Sequence, residues 1–178
     1  MNNGSKVAMC LLVIGINAPG VLAHKFSTAY MDVKDVAGQP AVVWKVALHD
    51  LAQAGLIASA NSHQVSWQQV TDSAPALNTY LNDHISFSSA GEPCQINAAL
   101  AADWQLQRLH RDSYLLLPLV VSCKHAAGWQ LTYRALFAGE PSHKLLLSWQ
   151  VAGASDNAVL AADAITYPEQ PLLSQGQQ

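Results

Sequence analysis

The seven histidines are the side chains of this chain best suited to hold a metal, and His24 has a special position among them. It follows Val21-Leu22-Ala23, a stretch that a signal peptidase would cut after Ala23. The cut would free an α-amine beside the imidazole, and two such nitrogens can chelate copper or nickel. His49 is our choice for a second ligand, because it ends the neighbouring predicted strand. The alternative is that His24 is simply the exposed first residue of the mature chain.

The cysteines carry the second possible chemistry. Cys10 lies in the apolar leader, so the mature chain keeps Cys94 and Cys123. An even number of cysteines in an exported chain predicts a disulfide. It would close a loop of about 30 residues and stabilise the fold by about 3–4 kcal/mol. Two buried thiols are the alternative, and the spacing is not the C-x-x-C of redox or zinc sites.

Motifs for covalent or phosphate chemistry are missing. The sequence contains no G-x-S-x-G, no H-E-x-x-H and no glycine-rich phosphate loop. We therefore predict that the protein is not an enzyme. Asp50 could be catalytic, but its position before Leu51 favours a helix cap. The five tryptophans could stack on sugars. Four of them lie on predicted strands and Trp67 opens a predicted helix, which favours core packing.

The first 23 residues have the layout of a secretory signal peptide. A polar stretch with Lys6 precedes an apolar run over residues 7–16, and Pro19 and Gly20 break that run. The run is too short for a membrane span, which needs about 20 residues. A lipoprotein is disfavoured because Cys10 lies inside the apolar run. We expect a periplasmic or secreted protein, cleaved near Ala23-His24.

Composition limits the remaining classes. The formal net charge is −3 and charged residues are only 12% of the 178-residue chain, with no basic run. Nucleic acid is therefore a poor partner. The length predicts a single domain over residues 24–168. The polar, glutamine-rich residues 169–178 are expected to form a disordered tail.

Strand patterns dominate the predicted domain. Residues 26–33 and 40–48 alternate between apolar and polar types around Gly38-Gln39-Pro40, which predicts a hairpin. Further strands are predicted at 85–89, 104–109, 113–123, 129–137, 144–151 and 158–167. In the strand at 104–109, Trp104, Leu106 and Leu109 are expected to face inward.

A helical insertion after strand two is predicted over about residues 50–84. Ser66 and Gln69 have the spacing of a capping box, and Pro75 suits a first helical turn. Together the elements predict a mainly β fold, an antiparallel immunoglobulin-like β-sandwich of about seven or eight strands with this insertion.

Two segments resemble the extracytoplasmic N-terminal domain of HupE/UreJ-type membrane proteins. They are His24-Lys25-Phe26-Ser27-x-x-Tyr30-x-Asp32 and Trp44-Lys45-Val46-Ala47-Leu48-His49-Asp50-Leu51. The similarity covers most of residues 23–150. It implies a role in nickel or cobalt handling beside a polytopic membrane permease. In that family a membrane domain follows, and this chain has none, so it would be a free-standing relative or one whose membrane half is missing.

The resemblance also raises the question of calcium. Relatives carry an acidic, glycine-rich loop before a Thr-Trp pair, and the matching stretch here, residues 56–67, reads LIASANSHQVSW. It contains no carboxylate, whereas calcium prefers several oxygen ligands that include Asp or Glu. We therefore predict that this loop does not bind calcium.

The leading expectation is an exported, non-catalytic binding or accessory domain. It would handle nickel, cobalt or copper with a membrane partner, and its small ligand is unknown. One alternative is a copper- or nickel-binding protein that uses His24 and His49. Another is a carbohydrate-binding or hydrolytic secreted protein.

Overall fold

The computed structural model describes residues 27–59, 64–109 and 111–169. The leader, His24 and the tail from residue 170 lie outside these ranges, so what the sequence indicates for them stays a prediction. Within the described ranges, no helix combines the length and the apolar character that a membrane span requires.

Eleven strands and three α-helices form in the described residues. The strands are β1 Thr28–Val36, β2 Gln39–Ala47, β3 Ile85–Ser89, β4 Glu92–Pro93, β5 Gln95–Ala98, β6 Gln105–Leu109, β7 Asp112–Ser122, β8 Trp129–Tyr133, β9 Lys144–Val151, β10 Ala154–Leu160 and β11 Thr166–Tyr167. The helices are α1 Leu48–Gln53, α2 Trp67–Asp72 and α3 Ala74–His84.

The strands form two sheets. The larger has the order β10-β9-β1-β2-β7-β5, and β6 also pairs with β7. The smaller has the order β11-β8-β3-β4. Strands β1 and β9 run parallel, and every other pair is antiparallel. The predicted β-sandwich with a helical insertion after strand two is confirmed. The described residues form more strands than the seven or eight that were expected. Two of the strands, β4 and β11, are only two residues long.

One apolar core joins the two sheets. On the larger sheet, Met31 and Trp44 are register partners and are 1% and 0% exposed. On the smaller sheet, Phe87 and Leu131 are register partners and equally buried. All four belong to one buried cluster. The alternation of apolar and polar residues in the sequence therefore matches the alternation of buried and exposed side chains along these strands.

The insertion begins directly after β2, where α1 follows without a loop. Ser66 and Gln69 form the predicted capping box of α2, and Pro75 lies in the first turn of α3. Leu77 and Leu81 are buried where α3 packs on β3 and β5. These local signals were read correctly from the sequence.

Strand β6 departs from its prediction. Trp104 is buried just before it, but Leu106 is 47% exposed although it pairs with the buried Leu115. The main contacts of β6 are with β7 alone, at the border of the sheet. Leu106 therefore faces the core side at a point that the core does not reach.

The predicted disulfide joins Cys94 and Cys123, whose Cα atoms are 4.5 Å apart. Cys94 lies between β4 of the smaller sheet and β5 of the larger one, and Cys123 follows β7. The Gln39 side chain bonds to the backbone of Cys123, accepting from its N–H at 3.0 Å and donating to its carbonyl at 3.3 Å. The disulfide therefore lies at the β1–β2 turn end of the sandwich.

Candidate functional site

Three distant parts of the sequence meet at the other end of the β1–β2 hairpin. Ser27 precedes β1, Asp50 lies in α1 after β2, and His143 precedes β9. The parallel register sets Thr28 opposite Lys144, and the Lys144 N–H donates to the Ser27 carbonyl at 3.1 Å. The register thus places Ser27 beside His143, and the end of β2 places Asp50 against both.

The side chains form a connected polar network. The Ser27 hydroxyl donates to Asp50 Oδ2 at 2.8 Å, and Ser27 Oγ lies 2.5 Å from His143 Nδ1. His143 Nε2 lies 2.9 Å from the hydroxyl of Tyr133, the last residue of β8. Ser27 and Asp50 are each 7% exposed, and His143 is 0% exposed. A buried network of this kind fixes the orientation of every member, because each partner lost would leave a buried polar group unsatisfied.

The protonation of the network follows from burial. Burial lowers the pKa of His143 to about 4, against the opposing effects of Asp50 and Glu140. Burial also raises the pKa of Tyr133 well above its usual value. His143 is therefore neutral and Tyr133 protonated at neutral pH.

The single proton of the Ser27 hydroxyl sets the direction of the hydrogen bonds. It goes to Asp50, so Ser27 Oγ must accept from His143 Nδ1–H. His143 Nε2 then accepts from the Tyr133 hydroxyl. The order Tyr133 to His143 to Ser27 to Asp50 differs from a hydrolytic triad, in which serine donates to histidine and histidine to the carboxylate.

His49 adds a second contact to Asp50. Its Nε2 lies 3.0 Å from Asp50 Oδ1, and its Nδ1 lies 3.8 Å from Asp112 Oδ1. The predicted role of Asp50 as a helix cap is wrong. Helix α1 begins at Leu48 without a side-chain cap, so Asp50 lies inside its first turn and is turned toward Ser27 instead.

The pairing of the predicted metal ligands His24 and His49 is not tested by the described residues and stays a prediction. His49 contacts carboxylates, and His24 lies outside the described ranges. No group of three His, Cys, Asp or Glu side chains in the described part of the chain could hold a metal ion. The loop over residues 56–67, which was compared with a calcium-binding loop, is described only at its ends. At one end the Gln69 side chain donates a hydrogen bond to the Ala58 carbonyl at 2.6 Å. The absence of calcium there stays a prediction.

A pocket of about 360 Å³ opens beside the network. Its walls come from Ser27, from α1, from α3 and from the loop between β8 and β9. Asp50 and Glu140 are among the residues that line it, and none of the described lining residues is a lysine or an arginine. A concave site with a few converging polar groups is the usual form of a small-molecule site.

Another part of the pocket lining is held by ring stacking and hydrogen bonds. The rings of Tyr80 and His84 stack with centroids 4.0 Å apart. The Tyr80 hydroxyl accepts from the Leu136 N–H at 2.7 Å, and burial raises the pKa of Tyr80. Leu136 adopts a φ of 68°, which is uncommon for a residue with a branched side chain. Its carbonyl accepts from the N–H groups of Gly139 and Glu140, so the loop is fixed in this conformation.

Four of the five tryptophans are buried in the core, at positions 44, 104, 129 and 149. Trp67 opens α2 as predicted and is 42% exposed. Core packing is thus confirmed for the four buried rings. A sugar platform made of several tryptophans is wrong, because buried rings present no open face.

Neither the network nor the pocket was predicted from the sequence. Ser27 and Asp50 both lie in the two segments that carry the family resemblance, and this was the available signal. The sequence offered no such signal for His143 and Tyr133. These two residues reach the site only because β1 pairs with β9 and β8 pairs with β3. Comparison of the chain with protein-family models and with curated proteins found no match.

Proposed function

We propose that this protein is an exported, non-catalytic binding module whose ligand enters the pocket beside Asp50. The observation that carries the proposal is the coupling of that pocket to a buried network. The network holds the Asp50 side chain at the pocket, and the hydrogen bond between the Leu136 N–H and the Tyr80 hydroxyl holds another part of the lining. A preformed site loses little entropy when it binds.

The same geometry argues against a hydrolase. A nucleophilic serine needs a base that takes its proton and an open path to the substrate. The Ser27 proton is already directed to Asp50, and Ser27 Oγ is also occupied by His143 Nδ1. His143 is fully buried and cannot pass a proton to a leaving group in the pocket. We expect no ester or glycoside hydrolysis that depends on Ser27.

The resemblance to the HupE/UreJ-type extracytoplasmic domain adds a biological setting to the proposal. Its two segments contribute Ser27 and Asp50, which lie 2.8 Å apart in one site. The two short segments that carry the resemblance therefore meet at one site in the fold. On this basis the proposed partner is a polytopic membrane permease, and the proposed role is to assist nickel, cobalt or copper handling.

A fragment screen by ¹⁵N–¹H NMR tests the binding function. We expect the amide shifts caused by hits to cluster at Ala54 and Gly139, which line the pocket. The variant Ala138→Trp would fill the mouth and abolish these shifts, whereas the control Ala102→Trp, on an exposed turn, would keep them. Amide shifts that persist in Ala138→Trp would contradict the proposal. So would an ester hydrolysis activity that is present in the wild type and lost in Ser27→Ala.

A second candidate is copper or nickel binding through His24 and His49. The supporting observation is that Ser27 is fixed against Asp50, the neighbour of His49. Ser27 is three positions after His24, a reach of about 10 Å in an extended chain. Calorimetric Cu(II) titration of the cleaved protein, of His24→Ala and of His49→Ala tests this candidate. Equal affinities in all three would exclude it.

A further inference from the structure

We infer that the protein binds a neutral pyranose sugar on the outer face of the larger sheet. This site lies apart from the pocket beside Asp50, so the inference goes beyond the proposed function and does not rest on it. A second cavity, of about 350 Å³, opens where β10, β9, β1 and β2 lie side by side. The two rows of side chains that line this cavity, their charges and its size point to the same class of ligand.

Strand alternation places this cavity outside the core. Met31 of β1 and Leu147 of β9 are register partners that face the core and are 1% and 2% exposed. Tyr30 and Leu146, the residues before them, are also register partners and lie on the opposite face, because successive side chains of a strand alternate. Leu146 is 37% exposed. The cavity is therefore an open site on the sheet surface and not a packing defect of the core.

The first row of side chains across the strands is mostly apolar. The register aligns Tyr30 with Leu146, and Leu146 with Val159, which is 53% exposed. Lys45 completes the row on β2, and its Nζ lies 5.2 Å from the centroid of the Tyr30 ring. A ligand would therefore pack on Leu146 and Val159, with the Tyr30 ring beside them. The Lys45 ammonium group would donate a hydrogen bond to it.

The second row is polar and runs beside the first. The register aligns Asp32 with Ser148, and Ser148 with Asn157. Each of these residues is two positions along its strand from a member of the first row, a distance of about 6–7 Å. A carboxylate accepts hydrogen bonds, whereas a hydroxyl and an amide both donate and accept them. This row can therefore bond to several hydroxyl groups of one ligand.

A pyranose matches both rows at once. One face of its ring presents C–H bonds, which suit the apolar row, and its hydroxyl groups project from the ring edge toward the polar row. A purely apolar ligand would leave the polar groups of Asp32 and Asn157 without water or a partner. Among the described lining residues, the charged ones are Asp32 and Lys45, one of each sign, so the lining favours neither an anion nor a cation. The cavity of about 350 Å³ would hold about a dozen waters at about 30 Å³ each, and a hexose has about that many heavy atoms.

The methyl pyranosides of glucose, galactose and mannose test the inference, and the open-chain polyol sorbitol is the control probe. Each is titrated into the disulfide-bonded protein, and affinities are taken from the ¹⁵N–¹H amide shifts of Ser148 and Ala158, which line the cavity. We expect at least one pyranoside to bind with a Kd of about 1 mM, the affinity typical of a ligand of this size. Sorbitol should bind at least about tenfold more weakly, because an open chain must lose more freedom to present one apolar face.

Two variants assign the binding to the polar row. Asp32→Ala should weaken it by about tenfold, because a hydrogen bond to a charged group is lost, and Asn157→Ala by about fivefold, because the lost bond is neutral. Both residues are exposed, so neither change should affect folding. Asn97→Ala is the matched control and should change nothing. Asn97 is an exposed asparagine on the same face of the sheet, and it lies on β5 at the far edge, where its register partner Val120 is 58% exposed.

The outcomes separate the inference from the proposed function. The inference is overturned when none of the three pyranosides binds, or when sorbitol binds as tightly as the best of them. An unchanged affinity in Asp32→Ala or in Asn157→Ala also overturns it. Shifts at Ala54 and Gly139 in place of Ser148 and Ala158 would do the same, because they would place the sugar in the pocket beside Asp50. The proposed function is tested at that other pocket by the fragment screen, so either result can fail without the other.

Discussion

The two ends of the β1–β2 hairpin are fastened by different chemistry. At the turn end, the Cys94–Cys123 disulfide is reinforced by two hydrogen bonds between the Gln39 side chain and the Cys123 backbone. At the open end, Ser27 joins Asp50 and His143 through buried hydrogen bonds. Each fastening joins segments that are far apart in sequence.

The difference bears on which end would bind the proposed ligand. A disulfide stabilises mainly by restricting the unfolded chain, and it presents no polar groups. A buried polar network acts in the folded state and holds charged and polar atoms in fixed directions. Only the open end borders the pocket beside Asp50. We therefore call the turn end the clamp and the open end, where the proposed ligand would bind, the recognition site.

The largest expected effect belongs to the clamp. The double variant Cys94→Ala/Cys123→Ala should lower the free energy of unfolding by about 3–4 kcal/mol, because the unfolded chain regains the freedom of a long loop. Urea unfolding at constant pH measures it. Reducing the wild-type protein should give the same loss, and reductant should not affect the variant. A loss below about 1 kcal/mol would show that the clamp contributes less than loop closure predicts.

The second effect is a pH dependence that belongs to the open end. The folded pKa of His143 is about 4, below its ordinary 6.5, because the neutral imidazole is favoured by burial. Its contribution is therefore complete above pH 6.5 and is lost as pH falls toward 4, since the unfolded chain takes up the proton first. The loss should reach about 3 kcal/mol at most.

Urea unfolding at pH 7 and pH 4.5 measures this difference. In His143→Gln the two free energies of unfolding should lie closer together than in the wild type. The double cysteine variant should keep the full difference, because the disulfide does not titrate. The same pH dependence in His143→Gln and in the wild type would assign it to other groups.

The clamp could be predicted from the sequence, because cysteine pairing depends on count and compartment. The strands and the capping box could be predicted as well, since periodicity and the Ser66–Gln69 spacing are local signals. Leu106 shows the limit of periodicity. Alternation correctly gave its side of the sheet, but whether that side is covered depends on the neighbouring elements.

The recognition site could not be predicted because it depends on non-local pairing. Ser27 and His143 are 116 residues apart and meet only because β1 and β9 pair in parallel. No local pattern specifies that register. Asp50 shows the opposite error: a local rule favoured a helix cap, and the tertiary contact with Ser27 prevailed.

The third effect isolates the hydroxyl at the centre of the network. Ser27→Ala removes one partner from Asp50 and one from His143 without a large cavity, so it should cost about 1–3 kcal/mol of stability. Ser142→Ala is the matched control, because that hydroxyl also bonds a carboxylate but is exposed. Thermal unfolding of both variants provides the comparison. Equal effects would mean that burial adds nothing to the Ser27 hydrogen bonds.

The smallest effect belongs to an exposed ion pair near the clamp. Lys124 Nζ lies 3.3 Å from Glu92 Oε2, a separation close to the 2.8 Å between Ser27 and Asp50. The Lys124 and Glu92 side chains are 72% and 53% exposed, so water and salt screen their attraction. Glu92→Gln should therefore change the free energy of unfolding by less than about 0.5 kcal/mol, with little response to added salt. A loss as large as that of Ser27→Ala would contradict the distinction between the two ends, because it would make contact distance, rather than burial, the quantity that determines stability.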